Sequence, residues 1–170
     1  VFNLEAAGAL VGKLPQAFLN TLLYTVSAFA VGLTLGTLLA LMKLSKVGSY
    51  RRIATTYIEF FRGIPALLVV IASYYALPQV LGFSLTSASA VAAIALGSVS
   101  AAYIAETLRA GIQSVPKGQV EAARSLGMSH TRTLIKVVLP QAFRTVLPPL
   151  TNEILLLTKD TSLLFAIGLT

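Results

Sequence analysis

Few side chains in this chain can do chemistry, and they do not gather into a reactive set. His130 is the only histidine and there is no cysteine. No Ser/His or Cys/His arrangement follows, no metal-ligand cluster is spelled, and neither disulfide nor thiolate is available. No GxxxxGK[ST] segment cradles a nucleotide phosphate, so no catalytic residue is assigned and any ATP that drives the protein is bound by another chain. What remains are carboxylates near cations. Glu59 and Arg62 stand three residues apart, as do Glu106 and Arg109, a spacing that lets two side chains meet on one helix face. Glu153 follows Asn152 inside an apolar stretch. Glu121 opens "EAARSLGMSHTR", residues 121–132, a basic, turn-containing segment with the local chemistry of a DNA-reading helix-turn-helix.

The elements that must position these residues are membrane spans. The chain is 56% hydrophobic and 11% charged, with mean hydropathy +0.82, whereas soluble domains carry about 25% charged residues. Residues 14–42 and 63–105 hold no charge at all. About 20 apolar residues cross a bilayer, so the first run fits one helix and the second fits two. The reading is all-α and integral to the membrane, with spans at 15–42, 57–77, 88–108 and 145–158 and a fifth apolar run starting at Leu163. The first run is too long for a signal-peptide core and its flank, Glu5 and Lys13, has no net positive charge. Val1 in place of Met, and an end inside an apolar run, read as a fragment trimmed at both ends.

Charge orients the spans. Of 13 Lys and Arg, 11 fall in 43–62 and 109–144, and 77–87 has none. The positive-inside rule puts the basic loops in the cytoplasm and the N-terminus outside. Anionic lipid headgroups and this rule explain the net charge of +7 without nucleic acid. Within the spans, Ala28, Gly32, Gly36 and Ala40 recur every four residues, a stripe for close helix approach, either inside this chain's bundle or against a second chain. Gly63 and Pro65 bend or break the second span. Each Glu–Arg pair either neutralises charge at the membrane boundary or takes part in gating.

Residues 114–140 predict two short helices in a cytoplasmic loop. Pro116 suits a first turn, Gly127 a left-handed C-terminal position and Ser129 an N-cap. The second helix ends or kinks at Pro140. Val120, Leu126, Leu134 and Ile135 are the apolar residues it has to bury. DNA reading is disfavoured because the loop is tethered between two spans and pressed against anionic headgroups, where phosphate contacts are poorly made.

The loop resembles the EAA loop of ABC-importer permeases. That pattern is Glu-Ala-Ala, three residues, Gly, nine residues, Ile, one residue, Leu-Pro. Here it reads Glu121, Ala122, Ala123, then Gly127, Val137, Leu139 and Pro140, with Val137 in place of Ile. "YIEFFRGIPALLV", "YIAETLRAG" and "VVLPQAFRTVLPPLTNEILLLTKDTSL" resemble the polar amino acid subfamily, which handles histidine, arginine, glutamine, glutamate and opines. The resemblance covers the chain from about residue 16. It implies a type I importer transmembrane domain over 16–170, preceded by an extracytoplasmic segment 1–15, with about five transmembrane helices and the coupling loop 114–140.

It further implies a multi-pass permease subunit in a bacterial inner membrane. The expected partners are a cytoplasmic ATPase holding ATP and Mg, a second permease chain, an extracytoplasmic substrate-binding protein and membrane lipid, without nucleic acid. Glu121 would pair with a basic group on the ATPase or cap a local amide, and Ala122 and Ala123 would let backbones approach. Glu153, with Asn152, would meet the ammonium or basic side chain of an amino acid, or else only tie its span to a neighbour. Importers of osmolytes or sulfonates share the loop; a stand-alone secondary transporter would not need it, and no internal repeat of that kind is seen.

Overall fold

The computed structural model describes the backbone of residues 4–82 and 87–168, and the side chains of these apart from residues 4–10 and 81. The described residues are 90% helical, with no strand among them. Helix α1, Leu4–Leu44, is the longest at 41 residues. It runs back past Pro15, where the sequence placed the span's start, because a proline one turn into the apolar stretch removes a single hydrogen bond. Its part Val11–Leu44, at mean hydropathy 1.9, is long and apolar enough to cross a membrane.

The second span is not one helix from 57 to 77. Helix α2 occupies Gly48–Gly63 and α3 Ala66–Ile71, and a five-residue π segment carries α3 into α4, Leu77–Leu81. The two arms bend by 105° between Gly63 and Ala66. Ile64 and Pro65 are extended there, as a residue preceding proline is driven to be. The expected turn at 77–87 lies partly outside the described residues.

Helix α5, Ala88–Val91, passes through π turn Ala92–Leu96 into α6, Gly97–Gln113, a continuous span of 26 residues at mean hydropathy 1.8. Two short helices follow, α7 Lys117–Ser125 and α8 His130–Thr133, then π turn Leu134–Val138 and α9, Leu139–Asp160. A 3-10 helix, Thr161–Ile167, ends the described chain. Among the described residues, two helices meet the length and apolarity needed to span, or three with the bent pair as one. Helix α9 is long enough at 22 residues but more polar.

Pro140 does not end the second loop helix: α8, the π turn and α9 run on without a non-helical residue. A proline ring clashes with the carbonyl four residues back, here that of Lys136. That residue lies inside the wider π turn, which makes room for the ring.

The core is alanine-rich, as membrane packing favours. One cluster joins α1, α2 and α6 through Leu39, Ala40, Ala54, Ile58, Ala101, Ala102 and Ala105. Another joins Ala28, Val70, Ala92, Leu96, Leu157 and Leu164 farther from the basic loops. The stripe Ala28, Gly32, Gly36, Ala40 is used inside the chain. A Cβ on Gly36 would stand 2.8 Å from the Ala101 carbonyl oxygen, and one on Gly32 3.0 Å from Ser100 Oγ. Helices α1 and α6 therefore touch backbone to backbone.

Candidate functional site

The loop forms a rigid corner. Helix α7 ends in a Schellman motif: Met128 N–H donates to the Ala123 carbonyl at 3.2 Å and Gly127 N–H to that of Arg124 at 3.0 Å. Gly127 has φ +81°, which a Cβ would penalise. Ser129 then caps α8, its hydroxyl accepting from Arg132 N–H at 3.3 Å, and Arg124 donates to the Met128 carbonyl across the corner at 2.5 Å. Each of these features follows from local residue types. Pro116 sits one residue ahead of α7, as its N-cap.

What the loop buries differs from expectation. Val120 and Leu134 pack on Val115, Val138 and Ala142. Leu126 instead is 84% exposed and Ile135 53%. The hydrophobic cluster is completed by Ile112 of α6, Val115 ahead of α7, Val138 of the π turn and Ala142 of α9, and the tight corner leaves Leu126 outside it. Ala123 is buried against its own chain, whereas Glu121 and Ala122 are exposed. Val137 is half-buried, and Leu139 and Pro140 lie exposed where α9 begins. The loop thus presents a carboxylate, a flat alanine and an unpartnered leucine on a framework that cannot easily deform.

The acidic pocket lies where α2 breaks. It encloses about 480 Å³ and is lined by Arg62, Ser100, Tyr103, Glu153 and Asp160 together with apolar residues of α6 and α9. Glu153 is there as expected; Asn152 is exposed and is not in the lining. One residue is about 100° of helix, enough to turn Asn152 away. Asp160, at the end of α9, joins Glu153 in the lining although the sequence reading did not single it out. Its signal was present: seven residues from Glu153 is two helical turns, hence the same face. Ser100 is 1% exposed, and its hydroxyl, which lies against Gly32 of α1, has no hydrogen-bond partner within 3.5 Å among the described residues.

Of the boundary pairs, Glu106–Arg109 forms, at 2.7 Å, and Lys43 of α1 joins the same carboxylate. Glu59–Arg62 does not form among the described residues. The Arg62 guanidinium, in the last turn of α2, lies 5.4 Å from the centre of the Tyr103 ring on α6 and lines the pocket.

A family model described as "Binding-protein-dependent transport system inner membrane component" matches residues 32–170. The chain is 42% identical over 149 residues to the probable glutamine ABC transporter permease protein GlnM of Bacillus subtilis (strain 168), covering 88% of this chain and 68% of that protein. It is 41% identical to the arginine transport system permease protein ArtQ of the same organism, with the same coverage. It is 39% identical over 155 residues to a glutamate/aspartate import permease protein, GltK, of Escherichia coli O157:H7, covering 88% and 69%. Among solved structures, a crystal structure of an amino acid ABC transporter with histidines matches with TM-score 0.91 and 36% identity over 99% of this chain and 78% of that one. The MetNI methionine ABC transporter, at TM-score 0.70, 21% identity and coverage of 99% and 78%, shares the fold.

Proposed function

The chain belongs to the binding-protein-dependent transport system inner membrane component family, and from that premise we propose how it works: as the amino-acid-conducting permease of an importer that takes its motion from a separate ATPase. It is a permease subunit of an ABC importer. The ATPase, which holds ATP and Mg, receives the corner of residues 114–140 in a cleft on the cytoplasmic side. The N-terminus faces outward, and a second permease chain and an extracytoplasmic binding protein complete the complex.

One observation carries the coupling role: Leu126, 84% exposed, stands on a corner locked by a Schellman motif. An exposed leucine is a poor solvent surface, and burying it against a partner is worth about 1.5–3 kcal/mol. Rigidity matters because a loop that flexed would absorb the ATPase's displacement.

The acidic pocket supports the substrate class. Glu153 and Asp160 offer two carboxylates to an ammonium or guanidinium, and Arg62 offers a guanidinium to a carboxylate. That arrangement suits a zwitterion, and the relatives' names point to amino acids such as glutamine, arginine and glutamate.

The test is Leu126→Asp in the full transporter. We expect the permease to insert normally while a P-loop ATPase no longer copurifies and uptake of labelled glutamine, arginine and glutamate is lost. Retained copurification and uptake would remove the corner from the coupling path.

A further inference from the structure

Eleven of the 13 Lys and Arg lie in the two basic loops; the other two are Lys13 and Lys159. They sit near opposite ends of the chain, and both line one groove, about 760 Å³, between α1 and the end of α9. Gln16, Asn20, Thr21 and Tyr24 on α1 and Thr158, Thr161 and Ser162 opposite supply its polar groups, while Ala17, Phe165 and side-chain carbons make up most of its surface. The α1 residues 13, 16, 17, 20, 21 and 24 follow helical spacing and make one face. That face is polar apart from Ala17 and runs for about 16 Å at 1.5 Å per residue, about half the thickness of a bilayer's hydrocarbon. Leu14, Phe18, Leu22 and Val26 cover the helix's other sides. Charged and polar side chains over that depth are costly against lipid and favour a wall that faces a water-filled cavity or another helix.

The chemistry of the lining specifies a charge sign. Thr21, Thr158, Thr161 and Ser162 each spend their hydroxyl proton on a carbonyl of their own helix, and Gln16 donates to Asn20. Free donors remain on the two ammonium groups, the Asn20 amide and the Tyr24 hydroxyl. No carboxylate lines the groove among the described residues, and neither lysine forms an ion pair there. Thr158 reaches Thr25 at 3.5 Å, which joins the two walls beside Tyr24.

We infer that this groove binds the carboxylate of a small solute, separately from the acidic pocket on the other side of α9, with Lys13 and Lys159 as the charged ligands. Its place on the extracytoplasmic side rests on the charge-based orientation above; that the solute is an amino acid rests on the proposed function. The convergence of the two cations rests on neither.

The experiment uses the purified permease–ATPase complex without binding protein. Binding of L-glutamine, L-arginine and L-glutamate is measured by equilibrium dialysis against their α-amides, which lack the free α-carboxylate. Two sites per permease chain are expected. Lys13→Gln/Lys159→Gln should remove one and lower the preference for acid over amide by at least about tenfold, since both charge-assisted contacts to the carboxylate are lost. Lys13→Arg/Lys159→Arg should retain both sites. Unchanged stoichiometry and preference in the glutamine double variant would overturn the inference. So would an effect of the double variant that appears only when the loaded binding protein is added back, with solute binding intact, or only when the complex is reconstituted in vesicles rich in phosphatidylglycerol. Glu153→Gln addresses the acidic pocket alone: if it changes nothing while the lysine variant loses a site, the pocket assignment fails and the groove stands.

Discussion

Lys43 of α1 and Glu106 of α6 form an ion pair across 63 residues of sequence, and Arg109 holds the second carboxylate oxygen at 2.7 Å. Arg109 in turn donates to Gln113, at the end of α6 and just ahead of the coupling loop. The three charged side chains are only 16–28% exposed, so the pair is worth more than a surface salt bridge and less than a dry one. Lys43→Gln and Glu106→Gln should each destabilise by about 1–2 kcal/mol. The double variant should cost less than the sum of the two, by about 1 kcal/mol of coupling. Unfolding in detergent, followed by far-UV circular dichroism, measures this; strict additivity would show that the contact carries no energy.

The contact between α1 and α6 depends on missing side chains. At Gly36 a Cβ would meet the Ala101 carbonyl oxygen at 2.8 Å and Ile104 at 3.0 Å, and neither can move without moving its helix. Gly36→Ala should therefore destabilise by about 1–3 kcal/mol through overpacking, although alanine is the better helix former. Gly118→Ala is the control: nothing lies within 4 Å of its Cβ, and helix propensity predicts a gain of up to about 1 kcal/mol. The same unfolding assay should give the two substitutions opposite signs.

The features legible in sequence were those decided within a few residues. The corner at Gly127, the Ser129 cap and the break at Gly63 and Pro65 follow from backbone conformations that particular residues favour. Glu106–Arg109 was legible for the same reason. The misreadings have distant causes. Tyr103 takes the guanidinium that Glu59 was expected to hold, and it belongs to another helix. Pro140 was read as a helix end because the π turn ahead of it leaves no mark in residue types. Lys43 was invisible as a partner of Glu106, and Lys13 as a neighbour of Lys159, because only packing joins elements so far apart. Asp160 is the exception, since its seven-residue interval from Glu153 was there to be read.

Gly127→Ala isolates the corner's stiffness from its surface. The left-handed backbone at φ +81° costs a residue with a Cβ about 1–2 kcal/mol, and nothing lies within 4 Å to clash. The hydrogen bonds from Gly127 and Met128 should loosen while Glu121, Ala122 and Leu126 keep their chemistry. We expect normal insertion, retained ATPase binding and a fall in transported solute per ATP hydrolysed. Measuring uptake and phosphate release in the same proteoliposomes checks it; an unchanged ratio would separate stiffness from coupling.

Glu153 distinguishes a substrate contact from a structural tie. It shares the pocket with Asp160 and Arg62, and it forms no ion pair among the described residues. Glu153→Gln keeps shape and hydrogen-bonding capacity but removes the charge. A charge-assisted hydrogen bond contributes about 1.5–3 kcal/mol, so solute binding to the permease should weaken by roughly ten- to a hundredfold, with the unfolding midpoint nearly unchanged. Asp160→Asn should act in the same direction. Combining the two should cost less than their product, because both carboxylates face one cationic group. Full binding with a lowered midpoint would instead make Glu153 a tie between helices and leave the pocket without its anionic wall.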